Sequence, residues 1–173
     1  MDVQKAPRVK CVLGIIYNFK CDIDAFLRFL ETVFGKQDYI SSVLSFDFTD
    51  YYEPEMGKDL KRVFVSYNRL IIPQQLPEIK RLTNIIERNF MDHHKRTINL
   101  DPGYLDLDKF VLASAKYARQ KIYLDKGIYA DPTLYFYKKT FHPYEWSFPD
   151  FTTGCYDDFF LKVRQHYKHQ LKQ

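Results

Sequence analysis

Glycine is scarce in this chain, six among 173 residues, and none of the six falls in a G-x-x-x-x-G-K-[ST] or G-x-G-x-x-G arrangement. Neither a Walker-type phosphate loop nor a Rossmann fingerprint is therefore present. G-x-S-x-G, H-E-x-x-H and paired C-x-x-C motifs are missing too, which removes sequence support for serine-hydrolase and zinc-site readings. The three cysteines, Cys11, Cys21 and Cys155, are an odd set without C-x-x-C spacing. They read as packing residues in a reducing compartment, not as a disulfide framework. No run approaches the roughly 18 apolar residues of a membrane span, and Met1-Asp2-Val3-Gln4-Lys5 lacks the basic and apolar regions of a signal peptide. A cytoplasmic protein with no membrane partner is the expectation. Repeats, low-complexity tracts and long linkers are also lacking, so residues 1–173 read as a single α+β domain.

What is present is a mild positive charge, +4 with a pI near 8.8, below the pI above ~9 of a dedicated nucleic-acid domain. The charges are unevenly spread. Carboxylates gather between Asp47 and Asp59, whereas Phe159 to Gln173 carries Lys162, Arg164, Lys168 and Lys172 and no acid.

Val9 to Tyr17 is a short β-branched run that predicts a buried strand. Asp22 then caps a helix whose apolar residues run from Ile23 to Phe34 at helical spacing and which Gly35 ends. Tyr39 to Phe48 alternates as a half-buried strand; an acidic loop follows, and Leu60 to Tyr67 predicts its antiparallel partner. Pro73 opens a helix with the stripe Leu76, Ile79, Leu82, Ile86 and Phe90. Arg96 to Leu100 reads as a strand halted by a type II turn at Asp101-Pro102-Gly103-Tyr104, and Asp106 as the cap of a short helix reaching Ser114. Lys121–Leu124 and Ile128–Ala130 flank a three-residue hairpin loop. That second arm, continued to Tyr137, places Ile128, Ala130, Leu134 and Phe136 on one face and Tyr129, Asp131, Thr133, Tyr135 and Tyr137 on the other. A last helix begins near Asp157 with Phe160, Val163, Tyr167 and Leu171 inward. The order is that of a ferredoxin-like split βαβ core extended by a short helix, a β-hairpin and a C-terminal helix.

The acidic loop carries the densest chemistry. Asp47, Asp50 and Glu55 are hard oxygen ligands that, if convergent, would hold Mg²⁺ beside a phosphate; a carboxylate pair such as Asp47 with Asp101 or Asp131 would equally serve as general acid and base. A solvated loop balanced by Lys58, Lys61 and Arg62 is the plainer account. A second constellation, Asn99, Asp101, Gly103 and Tyr104 with Lys109 and Lys116, suits an anion held at a tight turn before a helix. Together these predict a small phosphorylated or anionic ligand between the acidic loop and the 99–131 region. Asp47, Thr49, Tyr51, Tyr52, Glu55, Arg62, Asn99, Asp101, Lys109, Lys116, Lys121, Tyr123, Tyr129 and Asp131 are the candidate ligand-binding residues. The alternative is an RNA-binding or protein-interaction module without catalysis, using the tyrosine face and the basic last helix. Phe64-Val65-Ser66-Tyr67 matches only the tail of an RNA-recognition motif, and Phe64 and Tyr67 should point to opposite faces. His166 and His169, at i, i+3 on the basic helix, lack a third ligand of metal-site spacing and read as solvated.

Phe48-Thr49-Asp50-Tyr51-Tyr52, Glu55-Met56-Gly57, Asn99 to Leu105, Val111 to Ser114 and the Ile122 to Ala130 hairpin resemble blocks of an uncharacterised bacterial family catalogued as a domain of unknown function, DUF4416. Thr83-Asn84, Trp146 to Asp150 and Gln170-Leu171 extend the likeness over nearly the whole length. The resemblance implies no established activity, and the GTP-binding label sometimes given to members has no P-loop to rest on here. It also implies an Asp and a His-Arg pair where this chain has Tyr117, Gln120 and Lys121. If that histidine serves as acid or base, this member is altered; if it only binds anions, Lys121 keeps the charge.

Overall fold

The computed structural model describes residues 2–172. Strand β1 (Val9–Tyr17), buried along its whole length, lies at the centre of a nine-stranded sheet. Helix α1 (Ile23–Phe34) follows as its caps dictate: the Asp22 carboxylate accepts from the Ala25 N–H at 3.0 Å, and Gly35 at φ 90° ends it. The chain returns through β2 (Gln37–Ile40) and β3 (Leu44–Ser45), a strap containing helix α2 (Glu53–Met56), and β4 (Lys61–Ile71). Helix α3 (Leu76–Asn89) and the small β5 (Met91–Asp92) and β6 (Lys95–Arg96) lead to β7 (Ile98–Leu105). Then come β8 (Lys109–Ser114), β9 (Ile122–Asp125), β10 (Ile128–Tyr137), β11 (Thr140–Pro143) and helix α4 (Asp157–Gln170).

The sheet runs β11-β10-β8-β7-β1-β4-β2, with β3 also on β4 and β9 also on β10, all neighbours antiparallel. This is an α+β architecture. Because side chains alternate along a strand, β1 and β4 feed two cores. Leu13, Ile15, Val63, Val65 and Tyr67 pack under Phe26 and Leu30 of α1 and Ile86 of α3. Val12 and Phe64 pack on the other face under Phe160, Val163 and Tyr167 of α4. Among the described residues no helix is long and apolar enough to cross a membrane.

Several local expectations give way to tertiary context. The predicted Tyr39–Phe48 strand is broken: Ile40 faces Val65 but Leu44 faces Arg62, so the residues between bulge outward, and Ser41 Oγ accepts from the Phe64 N–H at 2.9 Å. Asp101-Pro102-Gly103 is no turn but part of β7, paired along its length with β1. Gly103 is required there by proximity, since a Cβ would meet the Val111 carbonyl oxygen at 2.6 Å and the Phe110 ring at 2.8 Å. Asp106 does not cap a helix either. Its Oδ1 accepts from the Asp108 and Lys109 N–H groups at 2.8 Å, forming an Asx turn that sends the chain back as β8. A bulge between Pro132 and Leu134 switches faces along β10, so Ile128 packs with Leu76 while Leu134 packs with the α4 core. Of the cysteines, Cys11 is packed, with its thiol pushed up to about 12 chiefly by burial, Cys21 is half-buried, and Cys155 is exposed, not a packing residue.

Candidate functional site

The ladder between β7 and β8 is short: Gly103, Tyr104 and Leu105 pair with Leu112, Val111 and Phe110, and there it stops. Pro102, next in line, has no N–H to offer. Beyond it the strands part, and α3 fills the gap with polar side chains. Glu87 Oε1 accepts from the Leu100 N–H at 2.7 Å, and Lys80 Nζ donates to the Leu100 carbonyl at 2.7 Å. Two helix side chains thus complete backbone valences that a neighbouring strand ordinarily satisfies.

Above this gap lies a cavity of about 590 Å³, within the range of small-molecule sites. β4 contributes Arg62, β7 contributes Asn99 and Asp101, and β10 contributes Asp131. Lys116, Tyr117 and Lys121 come from the chain after β8; Thr49, Tyr51 and Tyr52 come from the strap, and Phe148 to Asp150 close the remaining side. Of the candidate ligand-binding residues, Thr49, Tyr51, Tyr52, Arg62, Asn99, Asp101, Lys116, Lys121 and Asp131 line this one hollow.

Five expected residues lie elsewhere. Asp47 is exposed on the strap. Glu55 is drawn outside the cavity by Arg96, which donates to both its oxygens at 2.8 and 2.7 Å. Lys109 starts β8 at the far end from Ser114 and binds Asp106 at 2.5 Å. Tyr123 and Tyr129 stack edge to face with each other beside the cavity, Tyr129 also touching Tyr117. Asp50 is likewise exposed, and among the described residues no three His, Cys, Asp or Glu side chains gather. The strap therefore does not bring Asp47, Asp50 and Glu55 together for Mg²⁺. Phe64 and Tyr67, both wholly buried and on opposite faces of β4, offer no base a stacking surface.

Most cavity charges are already paired. Arg62 donates to Asp150 at 2.8 Å and lies 3.6 Å from Asp101; Gly14 makes room for it, because a Cβ there would stand 2.9 Å from Nη2. Lys121 holds Asp131 at 3.1 Å and donates to Ser114 Oγ at 2.8 Å. Arg96, besides gripping Glu55, donates to Asn99 Oδ1 at 2.9 Å and to Glu87 at 3.4 Å. Its hydrogen bond to Glu55 raises its pKa and lowers that of Glu55. Burial raises the Tyr52 phenol, with Asp101 adding to the effect. Burial also raises the carboxyls of Asp131, against Lys121, and of Glu87, against Lys80, the Leu100 N–H and Arg96.

The Glu87 shift has a sign that can be checked. A carboxyl that titrates above its ordinary 4.5 when folded keeps a proton that the unfolded chain has released. The associated stability is fully present below pH 4.5 and is lost as pH rises through the folded pKa. Glu87→Gln, which still accepts from Leu100, is expected to flatten the pH dependence of the urea unfolding free energy just above pH 4.5. Parallel wild-type and variant curves would remove Glu87 as the source.

Lys80, Glu87, Arg96 and Asp150 were not among the expected site residues. The first two had a signal: with Leu76 and Thr83 they fall at i, i+4, i+7 and i+11, and all four are buried while Leu82 and Ile85 are exposed. The inward face of α3 is thus rotated from the apolar stripe toward a polar one. Arg96 and Asp150 meet partners 41 and 88 residues away, and no local pattern announces them.

The family model described as "Domain of unknown function (DUF4416)" matches residues 7–167, and the chain belongs to that family. No curated protein and no solved structure matches it.

Proposed function

We propose that this member of the family binds a small anionic ligand, a phosphorylated one foremost, in the cavity beside the β7–β8 gap. The observation that carries the reading is Lys116. Arg62, Arg96 and Lys121 face carboxylates and Lys80 faces a backbone carbonyl, whereas among the described residues the ammonium of Lys116 meets only the hydroxyl and ring of Tyr51 at the cavity rim. An arriving anion gains a charge-assisted hydrogen bond there without displacing a carboxylate. Tyr51, Tyr117 and Phe148 supply apolar surface. No metal is needed in this reading.

The same reading takes β7-β1-β4-β2, with α1 and α3 on one face, as a ferredoxin-like split βαβ extended by β8 to β11 and α4. The strand order and the shared core of the two helices support it. Three free cysteines fit a cytoplasmic setting.

The test is thermal unfolding of the full chain with inorganic phosphate, phosphate monoesters and carboxylate anions at constant ionic strength. A ligand at ~100 times its Kd adds about 2.7 kcal/mol, a rise of several degrees for a chain of this size. Lys116→Ala is expected to weaken that ligand at least tenfold while leaving the ligand-free Tm nearly unchanged. If no anion raises Tm, or the variant responds like wild type, the reading fails.

A further inference from the structure

The wall contributed by β7 has two groups with unused hydrogen-bonding capacity. Asn99 and Asp101 are two residues apart on a strand and therefore on one face, and both line the cavity. Arg96 can only donate, so its 2.9 Å contact fixes Asn99 Oδ1 toward it and leaves Nδ2 as a donor on the opposite side of the amide. That Nδ2 is buried with no acceptor among the described residues, in a residue 6% exposed. An unmet buried donor is unfavourable, and a ligand oxygen would relieve it once the amide turns from its covered position toward the cavity that its residue lines. Asp101 is the converse. Its one ionic contact among the described residues is Arg62 at 3.6 Å, longer than a hydrogen bond, and its side chain, 23% exposed, has lone pairs to offer.

A donor and an acceptor side by side match a group that both accepts and donates, as a hydroxyl does and a fully ionised phosphate ester or carboxylate does not. Two further features agree. Asp131 and Ser114 continue the polar wall, and the exposed rings of Tyr51 and Phe148 offer flat apolar surface for the C–H face of a sugar. We propose that the ligand is a polyhydroxylated anion, a sugar phosphate or sugar acid, whose hydroxyls are read by Asn99 and Asp101 and whose charge rests on Lys116. The proposal rests on the anion-binding reading above and adds the hydroxyl requirement to it. Arg96 is a positioning residue in this arrangement, since its bond to Asn99 Oδ1 sets where the amide lies while Glu55 anchors it from the strap.

Calorimetric titration of the full chain with hexose and pentose monophosphates, gluconate, inorganic phosphate and butyl phosphate tests it. A sugar monophosphate or gluconate is expected to bind at least tenfold more tightly than butyl phosphate, which has charge and bulk but no hydroxyls. The phosphates and gluconate together show whether the charge must be phosphate. Asp101→Ala is expected to cut the affinity of the hydroxylated ligand about tenfold without weakening butyl phosphate, and Asn99→Ala to cut it likewise while leaving butyl phosphate unchanged. Lys116→Ala, on the exposed rim, is expected to weaken both kinds of ligand and reports on the site independently of how well the β7 variants fold. Equal binding of butyl phosphate and the sugar phosphates, or a matching loss for both ligands in Asp101→Ala, overturns the hydroxyl proposal and leaves the anion site standing. Failure of every probe overturns both.

Discussion

Replacing Arg62 with methionine is expected to cost about 3–5 kcal/mol of folding free energy, because it strands a buried carboxylate. Asp150 is 2% exposed, and without Arg62 its one remaining side-chain partner among the described residues is the Tyr156 hydroxyl, which donates to Oδ2 at 3.0 Å. The guanidinium also lies 4.7 Å from the Phe64 ring centroid and 5.4 Å from those of Phe46 and Phe151, so packing and cation–π attraction go with the charge. The unfolding midpoint in urea measures the loss. Removing both partners, in Arg62→Met with Asp150→Leu, is expected to restore most of it, since apolar replacements of a buried ion pair are often neutral or better. A single variant within 1 kcal/mol of wild type would mean that Asp150 finds water or another donor.

The second large effect belongs to Phe160. It is wholly buried on α4, with ring centroids of Phe110, Phe159, Phe64 and Phe141 at 4.7, 5.3, 5.4 and 5.9 Å. Phe160→Ala removes the ring from the middle of this cluster and leaves a cavity that its neighbours, themselves aromatic and mutually packed, fill poorly. A loss of about 3–5 kcal/mol follows, visible as a fall in Tm. A fall corresponding to less than about 1 kcal/mol would show that the cluster closes over the void.

The elements that could be read from the sequence are those whose signals are dense and local. β1 is a continuous apolar run, α1 carries its own cap and stop, the 121–130 hairpin turns at Gly127, at φ 76°, although Asp125 pairs with Ile128 and the loop is the two residues Lys126 and Gly127 instead of three, and α4 keeps its stripe through Tyr167. The misread elements are those where one residue has two meanings. Pro102-Gly103 is a good turn in isolation. Inside the fold, Pro102 ends the β8 ladder and Gly103 admits the Val111 carbonyl, and neither role exists until β1 and β8 are in place. Asp106 caps equally well into a strand as into a helix.

For the site the same division holds. The strap and the 99–131 region were legible as places because their polar residues cluster in sequence. Which residues converge depended on tertiary partners: Arg96 takes Glu55 away from the hollow, and α3 puts Lys80 and Glu87 into it. The carboxylates that seemed metal ligands were conspicuous by number; the groups that define the cavity are conspicuous by burial.

Where β7 and β8 part, the backbone of Leu100 depends on two side chains seven residues apart on a helix. Changes at Lys80 or Glu87 therefore disturb the sheet's seam and the chamber at once, which should hold both positions under double constraint. Asn84, between them on the same side of α3, lines the chamber and carries no such duty. A change there alters the chamber's wall without loosening the seam.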